Sequence, residues 1–143
     1  MAATREDTMT NPNHQIVRDY FAAMSRGVLP DELFTDDLSV WTTTSGIVSP
    51  KPKYEAGLKM LQSLFPAGLT YTVNSITAEE DRAAAEVRGQ GTLSNGDTYD
   101  NSYVFMFRFR DGRIASIAEH FNALIVHEKI VPLVKQAMAQ ASQ

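Results

Sequence analysis

The chain has 143 residues, 17 acidic against 13 basic, a net charge of -4 and 43% apolar residues. That length suits one domain of roughly 100–150 residues with a core large enough to need no staples. With no cysteine, a disulfide framework, a thiol nucleophile and a cysteine-based zinc site are excluded. The acidic balance argues against a dedicated nucleic-acid binder, and no apolar run approaches the roughly 18 residues that span a bilayer.

Residues 1–10 are polar and patternless. They read as a disordered tail without the apolar stretch of a secretory signal, so a cytoplasmic protein is expected. Residues 11–143 read as a single domain. Asn11-Pro12 looks like an N-cap followed by proline at the first helical position. Ile16, Val17, Tyr20, Phe21 and Met24 then recur at helical spacing, and Gly27 is placed to end the helix. Residues 30–34 make a short helical turn, and the β-branched stretch 38–44 reads as a strand.

Pro50 and Pro52 interrupt the chain before a second amphipathic helix marked by Tyr54, Leu58, Leu61 and Phe65 and closed by Pro66 and Gly68. From residue 69 to about 126 the pattern is strand-like. Leu69, Tyr71 and Val73 alternate with polar residues, 82–93 follows, and Asn95-Gly96 is a hairpin signal. A long strand over 98–110 turns at Asp111-Gly112 into a strand over 113–126. Pro132 opens a short C-terminal helix carrying Leu133, Val134 and Ala137. The order predicts an α+β fold in which the early helices cover one face of a long sheet.

Period-2 counting sorts the strands into faces. Over 98–110, Tyr99, Asn101, Tyr103, Phe105, Phe107 and Phe109 share the expected inner face. Over 113–126, Glu119 lies in line with Ile117 and Phe121, while His120 falls on the other side. Over 82–93, Glu86, Arg88 and Gln90 oppose Ala85, Val87 and Gly89; periodicity alone does not say which face is inside, and the polar set reads as the solvent face.

Four motifs carry a resemblance to a known family: Phe34-Thr35-Asp36-Asp37-Leu38, Tyr99-Asp100-Asn101-Ser102-Tyr103, Asp111-Gly112-Arg113-Ile114 and Glu119-His120-Phe121-Asn122. In order and spacing, over residues 11–126, the chain resembles the SnoaL-like branch of the nuclear-transport-factor-like superfamily. That superfamily includes ketosteroid isomerase, scytalone dehydratase and limonene epoxide hydrolase. The resemblance implies a conical, cystatin-like α+β barrel, its curved mixed or antiparallel sheet wrapped around N-terminal helices and enclosing a pocket. It also implies a homodimer formed through the outer sheet face.

Against ketosteroid isomerase, the base-bearing stretch matches Val40-Trp41-Thr42, which has no carboxylate, and the oxyanion-hole acid matches Phe105. Tyr20 is the one similar position, so a steroid isomerase of the usual design is not expected. Against limonene epoxide hydrolase, residues 99–122 align without gaps and Glu119 falls on a catalytic acid. Glu86 and Arg88 fall on its inward arginine and aspartate in reversed order. Val40 and Thr42 replace its water-holding tyrosine and asparagine.

The resulting expectation is a cluster of Glu86, Arg88 and Glu119 with Asn101 and Tyr103 nearby. Glu119 would be a general base, and Arg88 and Tyr103 the electrophilic side. Trp41, Tyr20, Thr42, Phe105 and Asn101 are the candidate substrate contacts. The competing reading of the cluster is a satisfied ion-pair network between strands, with Glu86 on a solvated face. A lone tryptophan such as Trp41 is more often a core residue than a ligand contact, and His120 is expected as an outer-face residue or a dimer contact. No metal-ligand spacing, glycine-rich phosphate loop or Gly-x-Ser-x-Gly elbow is present. The expected function is therefore cofactor-independent acid–base catalysis on a small oxygenated, apolar or aromatic molecule. Isomerase, lyase and aldol-type cyclase chemistries fit. A non-catalytic hydrophobic-ligand carrier, an epoxide hydrolase and an interaction module with a vestigial pocket are the alternatives.

Overall fold

The computed structural model describes residues 11–142, so the expected tail over 1–10 lies outside the described residues. Helix α1 (Pro12–Ser25) starts as its sequence dictates, with the Asn11 side chain accepting from Asn13 N at 2.9 Å and proline in the first turn. It ends at Gly27, whose φ of 76° only glycine adopts without cost. A 3₁₀ turn (Asp31–Leu33) leads into β1 (Phe34–Thr42), which starts four residues earlier than the β-branched run suggested. Strand β2 (Val48–Pro50) is too short to be read from periodicity. Helix α2 (Lys51–Ser63) follows it.

Four long strands then form a meander, β3 (Thr70–Glu79), β4 (Arg82–Thr92), β5 (Thr98–Arg110) and β6 (Arg113–Phe121). The chain closes with α3 (Ala123–Lys129) and α4 (Val131–Ala141). Residues 123–126, expected as strand, are helical because Asn122 caps them: its side chain accepts from Leu124 N at 3.0 Å. No helix among the described residues is long and apolar enough to cross a membrane.

The sheet runs β2-β1-β6-β5-β4-β3, antiparallel except for the parallel β1–β6 pair. That pairing brings the C-terminal ends of β1 and β6 together, with Thr42 opposite Glu119. Register shifts in β3 and β6 each insert one residue into the strand, curving the sheet. In β6 the insertion lets both Ile114 and Ile117 point inward at a spacing of three, which strict alternation forbids.

Helix α1 lies on the concave face. Tyr20 and Phe21 meet Phe105 and Phe107 edge-on, with ring centroids 4.9–6.1 Å apart. All six inward residues of β5, from Tyr99 to Phe109, are buried. The architecture is the α+β fold with a curved sheet around helices that the motifs implied.

Candidate active site

Where β1 and β6 end and β5 begins, beneath α2, α3 and α4, the concave face opens into a cavity of about 310 Å³. Its walls are chiefly apolar: Val40 from β1, Leu58 and Leu61 from α2, Phe121 from β6, and Val126, Ile130 and Val134 from the C-terminal helices. Thr42, Thr44, Ser45, Ser49 and Lys53 line it too. The hydroxyls of Thr42 and Ser45 are spent within their own turn, 3.1 Å from one another.

Among the described residues, Glu119 is the one carboxylate of this wall, and it is only 8% exposed. Among the described residues, its Oε2 has no hydrogen-bond partner. Burial without compensation penalises the charged form, and it pushes the carboxyl pKa from 4.5 up to about 7, the adjacent Tyr54 hydroxyl pulling the other way. Such a group exchanges its proton near neutral pH.

Four tyrosines complete the polar equipment: Tyr54, Tyr71, Tyr99 and Tyr103. The chain's fifth tyrosine, Tyr20, is fully buried behind them and shares a short hydrogen bond with the Tyr54 hydroxyl. Tyr99 and Tyr103 hydroxyls lie 2.5 Å apart. Burial is the main cause that raises all five phenol pKa values, so they act as neutral donors and not as bases.

The expected cluster does not form. Glu86 and Arg88 lie on the convex side of β4, where Ala85, Val87 and Gly89 take the inward positions. Glu86 accepts from Ser75 Oγ at 2.6 Å, and Arg88 forks onto Asp100 at 2.5 and 2.8 Å, both exposed. The polar composition of this face agrees with its exposure. The resemblance to an inward arginine–acid pair does not hold at these positions, since the alternation of β4 turns Ala85, Val87 and Gly89 inward instead. Among the described residues no arginine and no histidine lines the cavity.

Of the other expected contacts, Tyr103 and Thr42 line the cavity. Phe105 and Tyr20 are core, and Asn101 is buried behind Tyr99. Trp41 points to the convex side, where its ring packs at a tilt against the exposed His120 with centroids 4.9 Å apart, and it does not line the cavity. Sequence reasoning missed Tyr54, Tyr71 and Tyr99 as site residues because at helical and strand spacing they counted only as apolar. The available signal was their identity: tyrosine at an inward position, where phenylalanine would pack as well, marks a hydroxyl with work to do.

Comparison with known proteins places this architecture. Wild-type IdmH, a proposed polyketide cyclase from Streptomyces antibioticus, superposes with a TM-score of 0.73 at 20% identity, over 82% of this chain and 96% of that one. A proposed SnoaL-like polyketide cyclase from Jannaschia sp. CCS1 gives 0.72 at 20% identity, over 83% and 91%. AclR, a proposed hydroxylase from Streptomyces galilaeus, gives 0.70 at 21%, over 80% and 92%. These likenesses concern the fold. No curated protein matches the sequence significantly. The model of the SnoaL-like domain matches residues 17–117, more than half of the chain, and the chain therefore belongs to the SnoaL-like family.

Proposed function

We propose that the protein is a cofactor-independent acid–base enzyme that acts on a small, oxygenated, largely apolar or aromatic molecule, with Glu119 as the proton-transferring group. The observation that carries this reading is a buried carboxyl with an unpartnered oxygen on the wall of an apolar cavity, its pKa lifted to about 7. A carboxyl poised there is matched to proton abstraction at neutral pH. Neutral phenols around it supply hydrogen bonds to a developing oxyanion.

This suits isomerisation, elimination or aldol-type ring closure, each of which begins by removing a proton beside a carbonyl. The assignment of two similar folds as proposed cyclases favours the last. Epoxide hydrolysis is disfavoured, since the arginine and second acid that would hold a nucleophilic water lie outside the cavity. A non-catalytic carrier of a hydrophobic metabolite is the second reading. It is favoured by the absence, among the described residues, of any arginine or histidine from the cavity wall.

The deciding experiment follows exchange of acidic C–H protons with deuterated solvent, by NMR, in a panel of enones, β-diketones and phenolic ketones. Wild-type protein should accelerate exchange, and Glu119→Gln should lose about 10²-fold or more. Equal rates in the variant refute the base assignment. Tight binding with no acceleration by the wild type supports the carrier. A homodimer through the convex face, where Val104 and Met106 are 39% and 36% exposed, belongs to the same proposal. A monomer in light scattering would refute it.

A further inference from the structure

Among the described residues, the cavity wall holds one carboxylate, Glu119, and one basic side chain, Lys53. Lys53 is exposed in the first turn of α2 and forms no ion pair with Glu119, whose Oε2 is left without a partner. The charge of the ionised carboxyl is therefore not cancelled nearby, and it reaches far. After burial, it is one of the causes that raise the phenols of Tyr20, Tyr54, Tyr71, Tyr99 and Tyr103. An apolar cavity with one uncancelled carboxylate carries a negative potential that water screens poorly. It attracts a cation and repels an anion, and a cation beside Oε2 recovers part of what burying that oxygen costs.

The wall beside Glu119 is aromatic. Phe121 lies two residues further along the same strand, and Tyr103 pairs with it across the β5–β6 register. Their ring centroids are 5.5 Å apart with planes inclined at 59°, and Tyr71 follows at 6.1 Å from Tyr103 with an inclination of 64°. Rings so inclined do not stack, and the wall bends from one to the next. Gly89 makes this possible. A Cβ there would sit 3.0 Å from Tyr103 Cε1 and 3.6 Å from Tyr71 Cε1, so β4 passes the two rings without a side chain to part them. An aromatic face attracts a cation through its quadrupole, more strongly out of water. The cavity thus joins a carboxylate to aromatic walls and, among the described residues, has no arginine or histidine with which to hold an anion.

We propose that the cavity binds small apolar amines as their ammonium ions, with an N–H donating to Glu119 Oε2 and the carbon skeleton lying among Tyr71, Tyr103 and Phe121. This goes beyond proton transfer, since Glu119 serves here as an ion-pair partner and not as a base. An amine so held occupies the space of any substrate and competes with it. The volume of about 310 Å³ is at the lower end of small-ligand pockets, about 300–1,000 Å³, so an amine carrying one ring on a short linker fits.

Calorimetric titration at pH 8, where the Glu119 carboxyl is mostly ionised, tests this with three related probes: 2-phenylethylamine, the neutral 2-phenylethanol and the anionic phenylacetate. Wild-type protein should bind the amine about tenfold or more tighter than the alcohol, with phenylacetate weakest. Glu119→Gln should bring the amine down to the level of the alcohol, with the circular dichroism unchanged. Phe121→Leu keeps an apolar wall and removes a ring, and it should weaken the amine severalfold more than the alcohol. Equal affinity for amine and alcohol in the wild type would overturn the proposal. So would an amine preference that survives Glu119→Gln, phenylacetate binding as tightly as the amine, or no amine binding at millimolar concentration. Equal losses of amine and alcohol in Phe121→Leu would overturn the part given to the aromatic wall. Amine selectivity lost in Glu119→Gln beside unchanged proton exchange would keep this site and remove the base, and the opposite pair of results would keep the base and remove this site.

Discussion

Replacing Glu119 by glutamine should change how stability depends on pH, with a magnitude that follows from its burial. The folded-state pKa is about 7, against 4.5 for a solvated carboxyl such as the unfolded chain presents. Between those values the folded protein holds a proton that the unfolded chain has released, so stability falls as pH rises through the window and levels off above about 7. The gap is 7 minus 4.5, about 2.5 pH units, and at about 1.4 kcal/mol per unit it is worth about 3 kcal/mol. Set against a typical total of about 5–15 kcal/mol, that is a large loss.

Glutamine keeps the shape of the protonated side chain and cannot ionise. Relative to wild type, Glu119→Gln should therefore gain about 3 kcal/mol between about pH 4.5 and pH 8. Urea unfolding of both proteins at several pH values measures this, and subtraction cancels the other titrating groups. These include Asp31, Asp37 and Asp100, which hydrogen bonds from Lys51, Arg110 and Arg88 hold low. A difference that stays flat across the range would refute the uncompensated burial of Glu119, and the poised base with it.

Tyr54→Phe removes the one interaction that lowers the Glu119 pKa, so the acidic limb of a pH–rate profile should move to higher pH. An unmoved limb would separate Tyr54 from the base. Arg88→Ala, on the convex side, should leave turnover at the wild-type level, and a loss of turnover would return Arg88 to the chemistry. Gly91→Ala would put a Cβ 2.8 Å from Phe65 Cδ1 and 3.0 Å from the carbonyl oxygen of Gly68. It should cost about 1–3 kcal/mol in urea unfolding, and an unchanged midpoint would show that this contact yields freely. Phe105→Ala empties a fully buried site between Tyr20, Phe21, Tyr103 and Phe107, and should cost about 3–5 kcal/mol by the same measurement.

Much of the fold was legible because its elements carry strong local signals. The alternation of β5 predicted its six inward residues, and Asn11-Pro12 and Gly27 marked both ends of α1. Elements with weak or conflicting signals were read less well. The run Leu124, Ile125, Val126 looks like strand by composition, yet the Asn122 cap turns it into helix, and β2 is three residues long. Of the site, Glu119 was placed inward by its phase with Ile117 and Phe121. The phase of β4 alone leaves both faces open, so the inward placement of Glu86 and Arg88 rested on resemblance alone, and the structure turns them to solvent.

By itself, then, the sequence determined the inward face of β5 and, through the phase of Glu119 with Ile117 and Phe121, that this carboxylate is taken out of water. A period-2 pattern is a local property, enforced residue by residue by the backbone. Only the tertiary structure decided what surrounds that carboxylate. The parallel pairing of β1 with β6 sets Thr42 beside it, and the closing helices wall the cavity. The curvature introduced by inserted residues, and hydroxyl contacts between residues as distant as Tyr20 and Tyr54, appear in no local pattern. A burial-driven pKa depends on every neighbour that replaces water, and those neighbours come together only when the sheet closes over its helices.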